Sequence, residues 1–339
     1  MKLHIELNDK INRKSWDNFI LNHPNGNIFQ TPEMYDFLSG VRYYNPLAIA
    51  CLDDSGKIRG ILLSVVEREH SGVLGKFSSR AIAWGGPLVG DSNDESIMDR
   101  ILNAWVARTR RKTIYLELRN LFPFTGKIDT FQKNDFVYRE HLNFQVNTNS
   151  GQDPLKQLSS SRKRQIKKGL ASGARIEEAV QIDQVNEFYQ ILYDLYKNRV
   201  RKPLPDRSFF ENFFLQGKKL GKYFLVIYKE RVIGGIMCPI YSDRAIYEWY
   251  VCGLDKQYPE LYPSVLATWA AIEYAHEHRI GYFDFMGAGA PDQDYGVREF
   301  KARFGGKLVN YGRFIRINNH ILYNTGKLGL KFLGAIKKI

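Results

Sequence analysis

Cysteine is scarce in this chain: Cys51, Cys238 and Cys252 stand scattered among 339 residues. That is too few for a disulfide framework, and without a CxxC pair there is no thiolate grip for a structural zinc. Long apolar runs are lacking too. None reaches the ~18 residues that span a bilayer, and the opening MKLHIELNDK has no apolar segment of the secretory type. No HExxH, GxSxG or P-loop pattern occurs, so metalloprotease, serine hydrolase and NTPase chemistry find no motif. The run GAGAPD at 287–292 is not GxGxxG, which removes a dinucleotide fingerprint. His276 and His278 close a helix at alternate positions that face apart and do not converge on a metal. These absences predict a cytoplasmic protein of a reducing compartment, with no metal and no tightly bound cofactor.

What is present is an ordinary globular composition, 44% hydrophobic and 25% charged, in a length that suits two domains. The charge is lopsided: 49 Lys and Arg against 36 Asp and Glu, a net of +13. Between Lys156 and Arg175 the basic residues Lys156, Arg162, Lys163, Arg164, Lys167, Lys168 and Arg175 meet no acidic one. A second cluster follows at Lys197, Arg199, Arg201 and Lys202. A third runs through Arg298, Lys301, Arg303, Lys307, Arg313 and Arg316 against Glu299 alone. One such run reads as a solvated helix face. Three in one half of the chain point to a phosphate-bearing molecule: a nucleotide-activated sugar, a lipid pyrophosphate, coenzyme A or an RNA.

The hydrophobic period repeats. Leu3–Leu7 alternates as a strand, Ser15 caps a helix over 16–22, and Thr31-Pro32 opens another. Pro46–Leu52, the turn Asp53–Gly56 and Ile58–Val66 form a strand pair. A strand over Arg80–Val89, a helix over Ser96–Arg108 and the strand Ile114–Leu118 follow. The second half presents the same order: helix Val185–Tyr196, strand pair Tyr223–Tyr228 and Val232–Ile240, strand Arg244–Cys252, helix Pro263–His278 and strand Tyr282–Phe285. Short matches support the alignment, such as Arg80-Ala-Ile-Ala-Trp84 against Arg244-Ala-Ile-Tyr-Glu-Trp249. The chain therefore reads as α/β, a duplicated unit of about 150 residues. The polar stretch Asn147–Pro154 is the expected hinge. Leu308–Ile317 reads as one strand, and a basic amphipathic helix from His320 onward carries Leu328, Phe332, Leu333 and Ile336 on one face.

Three stretches resemble the FemABX-type aminoacyltransferases, the family that forms peptidoglycan interpeptide bridges: WDNFILNHPNGNIFQTPEMYDFL, SRKRQIKKGLASGARIEEA and GYFDFMGAGAPDQDYGVREFKARFGG. The FKxxFGG end is the most specific part. The resemblance implies two tandem domains of the GNAT (acyl-CoA N-acyltransferase) fold. The first would cover 1–150, with the helix 318–339 packed back on it, and the second, 151–317, would hold the catalytic cleft. It also implies transfer of an amino acid from aminoacyl-tRNA to an amine of a cell-envelope precursor, although some relatives resemble acyltransferases of polysaccharide pathways.

Candidate site residues follow. Lys301, between Phe300 and Phe304, is by default a solvated lysine beside a core pair. The resemblance makes it the group that stabilises charge on the reacting carbonyl. Asp284, at the end of an apolar strand, accepts the proton of an attacking amine or holds Lys301 in place, or else bonds loop amides. Gly287 and Gly289 let the backbone approach a ligand or make the turn. Arg199 and Arg201 suit a phosphate clamp, or are solvated arginines after a helix. Tyr247 and Trp249 share a strand face, with Glu248 and Tyr250 on the other, and the Tyr247–Trp249 face is expected to line the cleft. Arg162, Lys163, Arg164 and Lys167 form the expected tRNA or phosphate surface.

The leading expectation is an aminoacyltransferase or acyltransferase with charged tRNA as co-substrate, acyl-CoA being the alternative. Acetyl-CoA-using GNAT enzymes carry Q/R-x-x-G-x-G/A before a helix, and the nearest match here, Arg231–Ile236, lies in a strand-opening turn. The expected partners are charged tRNA and a phosphate-bearing envelope precursor, with peripheral contact at the inner face of the cytoplasmic membrane and no DNA. Other classes are an RNA-binding module without chemistry, though no RRM or KH motif appears, and a membrane-surface adaptor built on the C-terminal helix.

Overall fold

The computed structural model describes residues 2–68, 78–90, 95–149, 151, 153–292 and 296–326. In chain order the strands of the first half are β1 (His4–Leu7), β2 (Tyr44–Leu52), β3 (Ile58–Glu67), β4 (Arg80–Trp84), β5 (Leu88–Val89), β6 (Tyr115–Arg119) and β7 (Val137–Arg139). Those that follow are β8 (Leu142–Asn147), β9 (Arg175–Glu178), β10 (Gly221–Tyr228), β11 (Arg231–Tyr241), β12 (Ala245–Tyr247), β13 (Tyr250–Gly253), β14 (Tyr282–Asp284), β15 (Lys307–Asn310) and β16 (Arg313–Ile317). The helices are α1 (Arg13–Asn22), α2 (Pro32–Ser39), α3 (Glu95–Thr109), α4 (Ile128–Lys133), α5 (Ser160–Ala171), α6 (Ile182–Leu195), α7 (Arg207–Gln216), α8 (Pro263–Glu277) and α9 (Gly296–Ala302).

The chain forms two compact units, Met1–Arg139 with Tyr311–Ile339, and Glu140–Asn310. In the first, the sheet runs β1-β2-β3-β4-β6-β16-β7 with β5 on β3. In the second, it runs β9-β10-β11-β12-β14-β8-β15 with β13 on β11. Read from matching edges the orders are identical. Among the described residues each sheet has one parallel pair, β4 with β6 and β12 with β14, among antiparallel ones. The duplicated α/β unit is therefore present as the repeat implied.

Its bounds differ from those expected. Residues 140–149 belong to the second unit and 311–317 to the first. β8 lies antiparallel to β14, Val146 opposite Phe283, and buries Phe144 and Val146 in the second core. The expected single strand Leu308–Ile317 is two strands: β15 pairs with β8, whereas β16 pairs with β6 and buries Phe314 in the first core. Each unit thus takes the strand beside its parallel pair from the chain beyond the other unit's edge strand. Hydrophobic period reports which face of a strand is apolar, but not which sheet receives it.

Local rules hold within the units. Thr31 caps α2 through Met34 N–H at 3.2 Å, with Pro32 at the first helical position. α1 begins earlier than expected, because Asn12 rather than Ser15 is the cap and accepts from Ser15 N–H at 2.9 Å. In the first core, α3 buries Ile97, Met98, Ile101, Leu102 and Trp105 at helical spacing. In the second, α8 is buried on most sides, from Val265 to Ala275. Each such large apolar side chain contributes roughly 1.5–3 kcal/mol. The helix that starts at His320 lies in the first unit, with Tyr323 edge-on to Tyr115 of β6 at 5.4 Å. Its expected apolar face, Leu328 to Ile336, lies outside the described residues. Among the described residues no helix is long and apolar enough to cross a membrane.

Candidate active site

In the second unit the strands part at one point. β12 runs parallel to β14 as far as Tyr247 opposite Asp284, and the last bond across is Glu248 N–H to Asp284 O at 2.9 Å. Trp249 N–H then turns to Met237 O at 3.1 Å, and β13 continues on β11 alone. Ile240 faces Ile246, but Met237 faces Tyr250, so one extra residue is inserted on the β12–β13 side. This is a β-bulge, and it re-aims the side chains that follow.

Beside the bulge, Glu248 meets Lys301. α9 ends with Phe304 N–H on Lys301 O and Gly305 N–H on Ala302 O. Gly305 is needed there: its φ is +80°, and a Cβ would meet Gln157 O at 2.5 Å. Phe304 is fully buried and its ring sits 5.4 Å from that of Phe300. Lys301 is not the solvated neighbour of this pair. It is 7% exposed, and Nζ donates to Phe285 O at 2.7 Å and Gly287 O at 2.9 Å, and pairs with Glu248 Oε1 at 2.8 Å. The three N–H bonds of the ammonium are thereby committed to the protein.

Asp284 is wholly buried. Its Oδ1 accepts from Asn143 Nδ2 at 2.8 Å and Met286 N–H at 2.7 Å, and its Oδ2 from Gln145 Nε2 at 2.9 Å. Burial raises its pKa against the pull of Gln145, Asn143, Met286 N–H and the Lys301 charge. The carboxylate is therefore a structural anchor for the loop after β14, the loop-bonding alternative rather than the proton-accepting one. Burial also raises the pKa of Glu248, with Lys301 opposing. Among the described residues no protein donor reaches Glu248 Oε2, which is out of contact with solvent.

Comparison with known proteins places this geometry. Residues 158–301 match the acetyltransferase (GNAT) domain model. The FemX crystal structure superposes with a TM-score of 0.70 at 15% identity, covering 94% of this chain and 99% of that one. The chain has a FemX-like tandem GNAT fold. A tandem GNAT protein from the clavulanic acid biosynthesis pathway gives 0.60 at 9% identity, covering 94% and 99%. L-PGS from Bacillus licheniformis gives 0.56 at 11% identity, covering 91% and 93%. No curated protein matches in sequence.

Within the tandem GNAT fold the other expected site residues divide. Gly287 has a φ of +134°, and its N–H bonds Asn143 Oδ1 at 2.8 Å. Gly289 O accepts from Leu142 N–H. The Arg298 guanidinium bonds Ala288 O, Ala290 O and Pro291 O. The glycine loop is thus held by α9 through Arg298 and Lys301, and by β8. Tyr247 is 1% exposed, and Trp249 packs on Phe209 and Phe213 at 5.2 and 6.2 Å. Tyr247 is a core residue, Trp249 is half-buried against α7, and the side chain that meets Lys301 is that of Glu248. The face opposite Tyr247, where alternation puts Glu248, is the one that meets Lys301, rather than the expected Tyr247–Trp249 face.

Arg162 is likewise a correction. It is 4% exposed, its guanidinium lies 4.3 Å over Phe300 and 4.9 Å over Phe304, and it donates to Phe300 O at 3.1 Å. Burial lowers its pKa to about 10, with Arg303 adding to the effect. It braces α9 and does not form part of an RNA surface. Lys163 is half-buried and donates to Lys156 O, Lys168 pairs with Glu260, and Arg164 and Lys167 are exposed. Arg199 and Arg201 are exposed too, on a π-helical turn over Tyr196–Val200 that ends with Arg201 left-handed at φ +53°. Tyr196 lies 6.4 Å from Tyr250, which sets that turn against β13.

Glu248, Asn143, Gln145 and Arg298 were missed from sequence. Asn143 and Gln145 alternate with the apolar Phe144 and Val146 in LNFQVN, a signal of one polar strand face. Glu248 is a lone carboxylate in the aromatic run RAIYEWYVCG.

Proposed function

We propose that this chain is an acyltransferase that moves an aminoacyl group from charged tRNA to an amine of a phosphate-bearing cell-envelope precursor, in its second unit. The tandem GNAT fold and the acidic-basic cluster where β12 and β14 part support acyl transfer. An amine attacks an activated ester directly once the two are held close, so no covalent enzyme intermediate is required. Lys301 and Arg298 hold the loop over Phe285–Pro291, Glu248 stands beside the Lys301 ammonium, and Arg199 or Arg201 takes the phosphate.

The choice of donor is carried by one observation, the start of α8. Backbone amides there are what a coenzyme A pyrophosphate needs, and here they are spoken for. Pro263 has no N–H. Asp255 Oδ1 accepts from Ser264 N–H at 3.2 Å and Ser264 Oγ at 2.9 Å, and Val265 and Leu266 N–H both bond Tyr262 O at 3.0 Å. A carboxylate already occupies this end, and a pyrophosphate would meet its charge.

Mass spectrometry of envelope precursors incubated with charged tRNA and with acyl-CoA in parallel tests the reading. A salt-sensitive tRNA complex is expected. Charge reversal at Arg164 and Lys167 should weaken it and flatten the log–log salt dependence by about one for each phosphate that is no longer neutralised. Saturable coenzyme A binding at micromolar concentration, with none for tRNA, overturns the donor.

A further inference from the structure

We infer that the first unit docks on a bilayer of anionic lipid through the turn that follows α3. Arg108, Arg110, Arg111 and Lys112 put four cations into five residues there, and all four are exposed. This run lies outside the three basic clusters of the second half, and the acyl-transfer reading makes no use of it. The α3 dipole favours Arg108 in the last turn of the helix. Arg110, Arg111 and Lys112 come after the helix end, where like charges this close repel one another. Among the described residues none of the four pairs with a carboxylate. Asp135, just beyond α4, is held by Arg316 at 3.1 Å. The backbone under the four is fixed: Arg110 N–H bonds Val106 O at 2.9 Å, Lys112 N–H bonds Thr109 O at 2.8 Å, and Ser79 Oγ donates to Lys112 O at 2.5 Å. A rigid turn thus keeps four charges together, and packing gives no return for their repulsion.

A second observation selects lipid over a nucleic acid. Ile114 O, just past the turn, accepts from Asn318 and Asn319 N–H at 2.8 and 3.1 Å, and Asn318 Nδ2 bonds Thr113 Oγ1 at 2.9 Å. These bonds set the start of the C-terminal helix beside the turn, and Asn319 caps it through Leu322 N–H at 3.0 Å. Tyr323 packs on Tyr115, while Ile321 is 79% exposed. Residues 318–339 contain no acidic residue, and the part beyond 326, outside the described residues, adds four lysines among apolar residues. An RNA backbone would satisfy the charge but gives no place to an isoleucine. An anionic bilayer takes both: headgroup phosphates meet the guanidinium forks, and Ile321 enters the boundary between headgroups and acyl chains.

Sedimentation of the full chain with vesicles tests this, using phosphatidylcholine alone and phosphatidylcholine mixed with phosphatidylglycerol. Binding to the anionic vesicles is expected, weakening as salt rises, with little binding to the neutral ones. Each cation at such a surface raises partitioning by about fivefold. Arg108→Gln, Arg110→Gln, Arg111→Gln and Lys112→Gln together should therefore lower anionic-vesicle binding by ~10²-fold or more. The urea midpoint should stay where it is, because these four side chains hold no partner among the described residues. Ile321→Gln should lower vesicle binding by ~10-fold and leave its salt dependence as it was. Affinity for charged tRNA should stay close to that of the wild type in both variants. A wild-type protein that does not sediment with anionic vesicles overturns the inference, as does a fourfold variant that still does. A fourfold variant that loses tRNA affinity but keeps vesicle binding gives the surface to RNA and overturns it too. Unchanged vesicle binding by Ile321→Gln overturns the choice of lipid. Vesicle binding needs no substrate, so each of these outcomes is independent of the acyl-transfer reading.

Discussion

Lys301→Met is expected to lower turnover by ~10²–10³-fold, the order of loss seen when one group that stabilises an oxyanion is removed, here through its charge. It should also destabilise the second unit, because the ammonium satisfies Phe285 O, Gly287 O and Glu248 together. Breaking a buried ion pair from one side leaves an uncompensated charge and costs about 3–5 kcal/mol. The two effects separate in a double variant. Lys301→Met with Glu248→Gln removes the stranded carboxylate, so much of the stability in urea should return while turnover stays low. Lys301→Arg should not rescue fully, since a planar guanidinium cannot place its donors where a tetrahedral ammonium places three. Near-normal turnover of the double variant on its true substrates would reduce Lys301 to a purely structural brace.

Glu117→Gln should damage the first unit as severely, with no direct effect on the chemistry of the second. Glu117 on β6 is 5% exposed. It accepts from Arg313 Nη1 at 2.7 Å and from Arg119 Nη2 and Nε at 3.0 and 3.2 Å. Burial pushes its pKa up, but Arg119 and Arg313 outweigh burial and bring it from 4.5 to about 2. Because the folded value lies below the unfolded one, the stabilisation is complete above pH 4.5 and is lost as pH falls through about 2. It amounts to about 3 kcal/mol. The glutamine variant leaves two guanidiniums facing each other, and about 3–5 kcal/mol should be lost near neutral pH. Urea unfolding followed through Trp84, whose ring lies 5.5 Å from the Arg119 guanidinium, measures this. The variant should also lose the acid dependence between those two pKa values. An unchanged urea midpoint would show that the network contributes nothing net.

The sequence by itself determined the duplicated α/β order, the helix opened by Thr31-Pro32, the apolar faces of α3 and α6, and the FKxxFGG element that holds Lys301. These are local matters of period, capping and turn chemistry, legible within a few residues. Tertiary structure alone decided three others. It routed β8 into the second sheet and β16 into the first, so that Asn143 and Gln145 reach an Asp284 about 140 residues away. It set Glu248 beside Lys301 of α9 and inserted a bulge just beyond Tyr247. It folded the Arg162 guanidinium over Phe300 and Phe304 and drew Lys301 out of solvent, where composition alone had marked both as surface charge. The reason is common to all three. A side chain's periodic position fixes the face it takes on its own element, whereas burial and pairing depend on which distant element packs against that face, and only closure of the sheets decides that.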